Sequence, residues 1–193
     1  MKTSIYFVRH GIAPFSLEKE RDRGANLNEQ GQRDAIRVAE LMKEEQIDVI
    51  VSSAYHRARE TVAPLAERLG MDITLYEELI ERPIAGLHQG YPEEELLAAI
   101  ERSFRDPDYR MPDGESTRQA QERAIPILLK LLSDYKGRKI AVGTHGNIMT
   151  IMLSYFDPSY GYEFWKSTSK PDIYRAEFHD TQLLQVERLW KPV

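Results

Sequence analysis

Apolar positions along the chain follow two periods, and the change from one to the other marks the elements. Thr3 to Val8 (TSIYFV) is rich in β-branched and aromatic residues and stops abruptly at Arg9-His10-Gly11, which predicts a first strand followed by a polar, charged loop to Asn26. From Asn28 to Glu45, apolar Ala35, Ile36, Val38, Ala39, Leu41 and Met42 recur at helical spacing behind Asn28, a suitable N-cap. Ile47 to Val51 reads as a second strand ended by Ser52-Ser53, and a helix runs on to Leu69 until Gly70 stops it. Pro64 should kink that helix or mark a restart, because proline lacks the N–H and clashes with the preceding turn.

Asp72 to Tyr76 predicts a third strand and Glu115 to Tyr135 a long helix, again interrupted by a proline, Pro126. Between them, residues 83–114 carry Pro83, Pro92, Pro107 and Pro112 around a short helical pattern at Glu93 to Phe104, which suggests an excursion over the sheet, a cap. Lys139 to Thr144 is another buried-strand run, Ile148 to Tyr155 begins a helix, and Ile173 to Phe178 with Leu183 to Leu189 alternate as a hairpin turning at Asp180-Thr181. Strands separated by helices call for a mainly parallel sheet covered on both faces. The expected fold is therefore α/β, a three-layer α/β/α sandwich with one antiparallel edge. It forms a single domain over 1–193, with its core in 1–82 and 115–193 and a small cap insertion at about 83–114.

Composition narrows the function. Hydrophobic residues make up 41% and charged residues 30% of the 193 positions, the balance of a globular chain. The formal net charge of −5 argues against nucleic acid as a partner, since a polyanion calls for a basic face. With no cysteine, thiolate metal sites, disulfides and cysteine nucleophiles are excluded. The run from Ile5 to Val8 is too short for a signal-peptide core, and no stretch of about 18 apolar residues reads as a membrane span, so the expected location is the cytoplasm.

In an open α/β sheet, ligands bind beyond the carboxyl ends of the strands. Those ends carry Arg9-His10-Gly11, Ser52-Ser53 with Arg57 one turn on, and Thr144-His145-Gly146, which aims two histidines and two arginines at one edge. Planar guanidinium forks suit phosphate oxygens, a glycine after each histidine allows close approach, and helix N-termini add oriented N–H groups. His56, His88 and His179 read as structural, Arg59 as a solvated charge, and Glu81 is indistinguishable by composition from Glu77 and Glu78. No H-E-x-x-H spacing points to a metal site. The expectation is no metal and no cofactor.

These residues also match a known pattern. Val8-Arg9-His10-Gly11 resembles the R-H-G signature of histidine phosphatases and cofactor-dependent phosphoglycerate mutases. Leu27-Asn28-Glu29-Gln30-Gly31 is similar to that superfamily's entry to helix one, and Ser52 to Thr61 to its S-S-x-x-x-R-A-x-x-T segment. Leu79-Ile80-Glu81-Arg82 with Gly86 and Gly90, Asp113-Gly114-Glu115-Ser116, and Gly143-Thr144-His145-Gly146-Asn147 follow in order.

The resemblance implies that His10 is phosphorylated, that Arg9, Arg57, His145 and Gly146 form the phosphate pocket, and that Glu81 donates and accepts the proton. Ser16 stands where mutases carry a substrate-contacting asparagine and is expected to contact the substrate in its place, and Ile12 to Phe15 is unusually apolar. No basic cluster lies between Glu81 and His145 to match a phosphoglycerate clamp, which favours hydrolysis over mutase transfer. The expected activity is metal-independent hydrolysis of a small phosphorylated metabolite through a phosphohistidine, with Arg9 and Arg57 keeping His10 neutral. The alternatives are mutase transfer, a protein phosphatase, and a non-catalytic phospho-ligand module. Specificity is expected to lie in the cap, where Tyr91, Phe104 and Tyr109 offer an apolar wall, and in the Ile12 to Arg23 loop.

Overall fold

Side chains alternate across a strand, so a strand apolar at every position must be covered on both faces. In the computed structural model, which describes residues 1–16, 18–86 and 89–192, strand β1 (Lys2–Arg9) is such a strand from Ile5 to Val8. Ile5 and Phe7 join one core and Tyr6 and Val8 the other. Its neighbours are β4 (Lys139–Thr144), parallel to it, and β5 (Asp172–His179), antiparallel. With β2 (Val49–Ser53), β3 (Ile73–Tyr76) and β6 (Gln182–Arg188) they form one six-stranded sheet in the order β3-β2-β4-β1-β5-β6. The β2, β3 and β4 ladders are parallel, and β5–β6 is the antiparallel edge that the alternation at 173–189 predicts.

One face is covered by α2 (Glu29–Met42) and α3 (His56–Leu69), whose Val38, Met42, Val62 and Leu65 pack on Tyr6, Val8 and Ile50. The other is covered by α5 (Thr117–Asp134) and α6 (Gly146–Phe156), whose Leu128, Leu131, Ile148 and Met152 pack on Ile5, Phe7 and Val142. The three-layer sandwich is thus the observed architecture.

Local chemistry sets most boundaries. The Asn28 side chain accepts from Gly31 N–H at the start of α2, and Gly70, at φ 63°, ends α3 in the left-handed conformation. Ser116 and Gln119 form a reciprocal capping box on α5. Strand β2 begins two residues later than the apolar run and takes in Ser52 and Ser53, so those serines lie inside the ladder rather than beyond it.

Neither proline breaks its helix. Pro64 and Pro126 sit within continuous α3 and α5, because the buried faces on either side of each (Val62, Leu65 and Ala66; Ile125 and Leu128) hold the helix against the sheet. Pro126 is exposed, which leaves the carbonyl one turn back open to water.

Two short helices escape the periodic reading: α1 (Lys19–Arg23), inside the expected loop, and α7 (Tyr162–Ser167). At five and six residues they are too short to show a period or to be stable alone. Segment 83–114 carries α4 (Glu93–Arg105) and a small apolar cluster of Ala85, Ala99 and Met111 backed by Ile84, Tyr91, Leu96 and Tyr109. Among the described residues, no helix is long and apolar enough to cross a membrane.

Candidate active site

Parallel strands β1, β2 and β4 end at one edge, and their tips bring His10, Ser53 and His145 together. The imidazole rings of His10 and His145 lie edge to face with centroids 5.1 Å apart. His10 Nδ1 is 2.7 Å from its neighbour's carbonyl, Gly11 O. A carbonyl only accepts, so Nδ1 carries the hydrogen and Nε2 keeps a free lone pair.

Burial, then the Arg57 guanidinium, hold the His10 pKa well below the usual imidazole value, with Arg9 and Lys170 adding to this and the Gly11 hydrogen bond opposing it. Desolvation therefore outranks the arginine field that the sequence suggested. His145 is wholly buried and held low mainly by burial and then by His10. Its Nε2 lies 2.7 Å from Ser53 Oγ, and its Nδ1 has no hydrogen-bond partner.

Arg9, the last residue of β1, is buried, and its guanidinium donates to the Thr168 hydroxyl and to Thr168 O. Gly146 makes room for it: a Cβ at that position would stand 2.7 Å from Arg9 Cζ. Arg9 Nε is buried without a partner. Arg57, in the first turn of α3, donates to Asp22 O at 2.7 Å and faces the Asp22 carboxylate at 3.3 and 3.5 Å. Burial pushes the Asp22 carboxyl above its usual range, against the opposing pull of Arg57.

Geometry separates Glu81 from Glu77 and Glu78. Its carboxylate accepts three backbone N–H groups, from Arg82 (2.9 Å), Asn147 (3.1 Å) and Ile148 (2.8 Å), and so occupies the N-terminus of α6. The α6 N–H groups that the sequence offered to an anionic ligand are thus taken up by this side chain. Glu77 instead pairs with Arg23 on the surface, and Glu78 presents its carbonyl to Arg123.

A cavity of about 350 Å³ opens at this edge, lined by Arg9, His10, Asp22, Arg57 and Glu81 on its floor. Its walls carry Ala13, Pro14, Phe15, Tyr55, Trp165 and Lys170, and segment 83–114 adds Pro83, Ile84, Ala85, Gly86, Gly90, Tyr91 and Leu96. Of the three expected wall aromatics, Tyr91 alone lines it. Phe104 packs on the core beneath the sheet, and Tyr109 stacks on Arg102.

Ser16 does not line the cavity; its hydroxyl accepts the Glu18 N–H at 3.1 Å, at the start of α1. His145 and Gly146 sit behind the floor rather than on it. His56 contacts Asn26, His179 lies beside Asp180 on the surface, Arg59 is exposed, and His88 lies outside the described residues.

Several floor and wall residues carry no local sequence signal. Asp22 and Lys170 reach the cavity from segments that read as loops. Lys170 is pushed below its usual value by partial desolvation and by Arg9. Asp172, wholly buried at the start of β5, accepts from Arg188 at 2.7 and 3.0 Å and from Ser169 N–H at 2.8 Å, which fixes the loop bearing Thr168 and Lys170. Among the described residues, no three histidine or acidic side chains converge as metal ligands.

A three-layer α/β fold with paired histidines and arginines at its strand tips narrows the chain to phosphate-handling proteins. The description "Histidine phosphatase superfamily (branch 1)" matches residues 5–186, and the chain belongs to that superfamily. It is 29% identical over 154 residues to the uncharacterized phosphatase PhoE of Bacillus subtilis, covering 79% of this chain and 76% of that one. It is 28% identical over 158 residues to the probable phosphoglycerate mutase GpmB of Cronobacter sakazakii, covering 78% and 73%.

Among solved structures, mycobacterial glucosyl-3-phosphoglycerate phosphatase superposes with a TM-score of 0.75 at 20% identity, over 97% of each chain. A mutant phosphoserine phosphatase of Entamoeba histolytica, in complex with phosphoserine, gives 0.73 at 22% identity over 94% of each. These two likenesses establish the fold. Family and relatives together support an enzyme of phosphoryl transfer or hydrolysis.

Proposed function

We propose that the chain is a metal-independent phosphatase that hydrolyses a small phosphomonoester through a phosphohistidine on His10. The observation that carries this reading is the His10 ring. Its Nδ1–H is spent on Gly11 O, its pKa is held low, and it borders a cavity floored by Arg9, Arg57 and Glu81. In this reading Nε2 attacks phosphorus in line while the bond from phosphorus to the ester oxygen breaks. Arg9 and Arg57 balance the charge on the equatorial oxygens, and an anion with several acceptor oxygens also suits the unpartnered Arg9 Nε.

Glu81 gives its proton to the departing alkoxide. It takes one from water as that water attacks the phosphohistidine, the P–N bond breaks, and phosphate leaves with His10 restored.

Segment 83–114 acts in this reading as the cap of a single domain spanning 1–193. Every residue it contributes to the described wall is uncharged, which suits an uncharged substrate body there, while the cations on the lining, Arg9, Arg57, Arg82 and Lys170, come from outside the segment. The names of several relatives keep the mutase as the second reading.

The test is hydrolysis of p-nitrophenyl phosphate in excess EDTA by wild type and by His10→Ala. Turnover by wild type alone is expected. Equal rates would remove His10 from the chemistry. Silence from both, with isomer formed from 3-phosphoglycerate and a bisphosphoglycerate primer, would replace the phosphatase by the mutase.

A further inference from the structure

Arg82 directly follows Glu81 in the Leu79-Ile80-Glu81-Arg82 element, where sequence alone assigns it no role of its own. In the fold it is 2% exposed. Burying a guanidinium is costly unless its donors are met; here the two Nη groups reach oxygens from three segments, while Nε is buried without a partner. Nη2 donates to Asn147 Oδ1 at 2.7 Å, in the first turn of α6, and to Ser103 Oγ at 3.0 Å on α4. Nη1 lies 3.4 Å from Glu115 O, just before α5. All three acceptors are neutral.

The Glu115 carboxylate is held by Arg123 at 2.7 and 2.8 Å. Glu81 supplies the larger compensating charge and Glu115 the smaller, and desolvation pushes Arg82 down to about 10, so it stays protonated at neutral pH.

These contacts converge on the Glu81 carboxylate. The Arg82 N–H donates to Oε1, and Arg82 fixes the Asn147 side chain while the Asn147 N–H donates to Oε2. At the far end, Ser103 is tied down twice: its hydroxyl donates to Ile100 O, and its carbonyl accepts from the Thr117 hydroxyl, each at 2.7 Å. One side chain therefore spans α4 of segment 83–114, the N-terminus of α6 and the residue beside the acid.

We propose that Arg82 is a positioning residue that holds the Glu81 carboxyl in place for proton transfer and makes the seating of α4 part of that placement. The inference rests on the proton-transfer role of Glu81 given above.

The test exploits leaving groups. An alkoxide needs the proton as it departs, whereas p-nitrophenolate is stable without it. Turnover of β-glycerophosphate and of p-nitrophenyl phosphate is compared for wild type, Glu81→Gln, Arg82→Gln, Arg82→Lys and Ser103→Ala. Glu81→Gln should lower kcat for the alkyl ester about 100-fold and Arg82→Gln about tenfold, with much smaller losses on the aryl ester. KM should stay within about twofold, as for a contact that acts in the transition state. Ser103→Ala, which removes only the tie to α4, should show the same selectivity at about threefold by the same reasoning.

A merely structural arginine predicts something else: both esters lose activity by one common factor as the folded fraction falls. If Glu81→Gln is ester-selective while Arg82→Gln, Arg82→Lys and Ser103→Ala are not, the role of Arg82 is overturned and that of Glu81 stands. If Glu81→Gln is itself unselective, the acid has been misassigned and Arg82 loses its object with it. Should Arg82→Gln not fold, Arg82→Lys and Ser103→Ala decide on the same criterion.

Discussion

The floor and the roof of the cavity are built by different means. The floor stands on the tips of β1, β2 and β4, whose side chains are buried on both faces of a continuous sheet, and His10, Ser53 and His145 there are held by hydrogen bonds to one another or to the backbone. The roof, residues 83–114, rests on a three-residue apolar cluster and one helix, and reaches the floor through the Arg82 contacts to Ser103 and Asn147. The difference teaches where chemistry and selectivity can vary independently. The strand-tip residues Arg9 and His10 cannot move without disturbing the sheet, whereas a roof side chain such as Leu96 or Tyr91 can change while the tips stay fixed.

That contrast is most sharply tested by Arg57→Ala. Loss of a floor cation should lower kcat/KM about 10²- to 10³-fold for every ester tried, whatever its leaving group. A loss confined to one ester would assign Arg57 to the wall.

The floor should also show in stability. His10 and His145 are buried with their folded pKa values depressed below about 6.5, so below that pH the unfolded chain binds protons that the folded chain refuses. Stability then falls as pH drops from about 6.5 toward the folded values, by up to about 1.4 kcal/mol per pH unit for each histidine. Urea midpoints at pH 7.5 and 5.5 should separate more for wild type than for His10→Gln. Equal separation would mean that His10 protonates alike in both states.

In the roof, Tyr91→Ala should change KM for bulky esters about tenfold or less while leaving kcat for p-nitrophenyl phosphate within about twofold. A uniform fall in kcat would join floor and roof into one unit.

The smallest effect is expected from Asp22→Asn. Arg57 keeps its 2.7 Å bond to Asp22 O, while one negative charge leaves the cavity, so inorganic phosphate should inhibit about threefold more tightly. Weaker inhibition would show that the Asp22 carboxylate is needed to hold Arg57.

The sequence by itself determined the parts whose burial repeats locally. The β1 run, the amphipathic α2 and α3, the β5–β6 hairpin and the ordered motifs around His10, Arg57, Glu81 and His145 are all legible, because a period of two or 3.6 is a property of neighbours in the chain. It missed α1 and α7, which are shorter than a period can reveal, and it gave too much weight to Pro64 and Pro126, whose lost hydrogen bonds are outweighed by packing against the sheet.

The motif singles out Glu81, but only the tertiary structure gives the physical reason that this acid rather than its neighbours stands at the site. Glu77, Glu78 and Glu81 are alike in composition, but α6 begins 65 residues after Glu81 and its N-terminus accepts that one carboxylate. Likewise Asp22, Lys170 and Asp172 have no local signal, Ser16 turns out to bond Glu18 N–H just before α1, and the burial of Arg82 under α4 and α6 is not readable from its neighbours in the chain. Each of these roles depends on desolvation and on partners brought together from distant parts of the chain, and neither exists until the sheet has formed and its faces are covered.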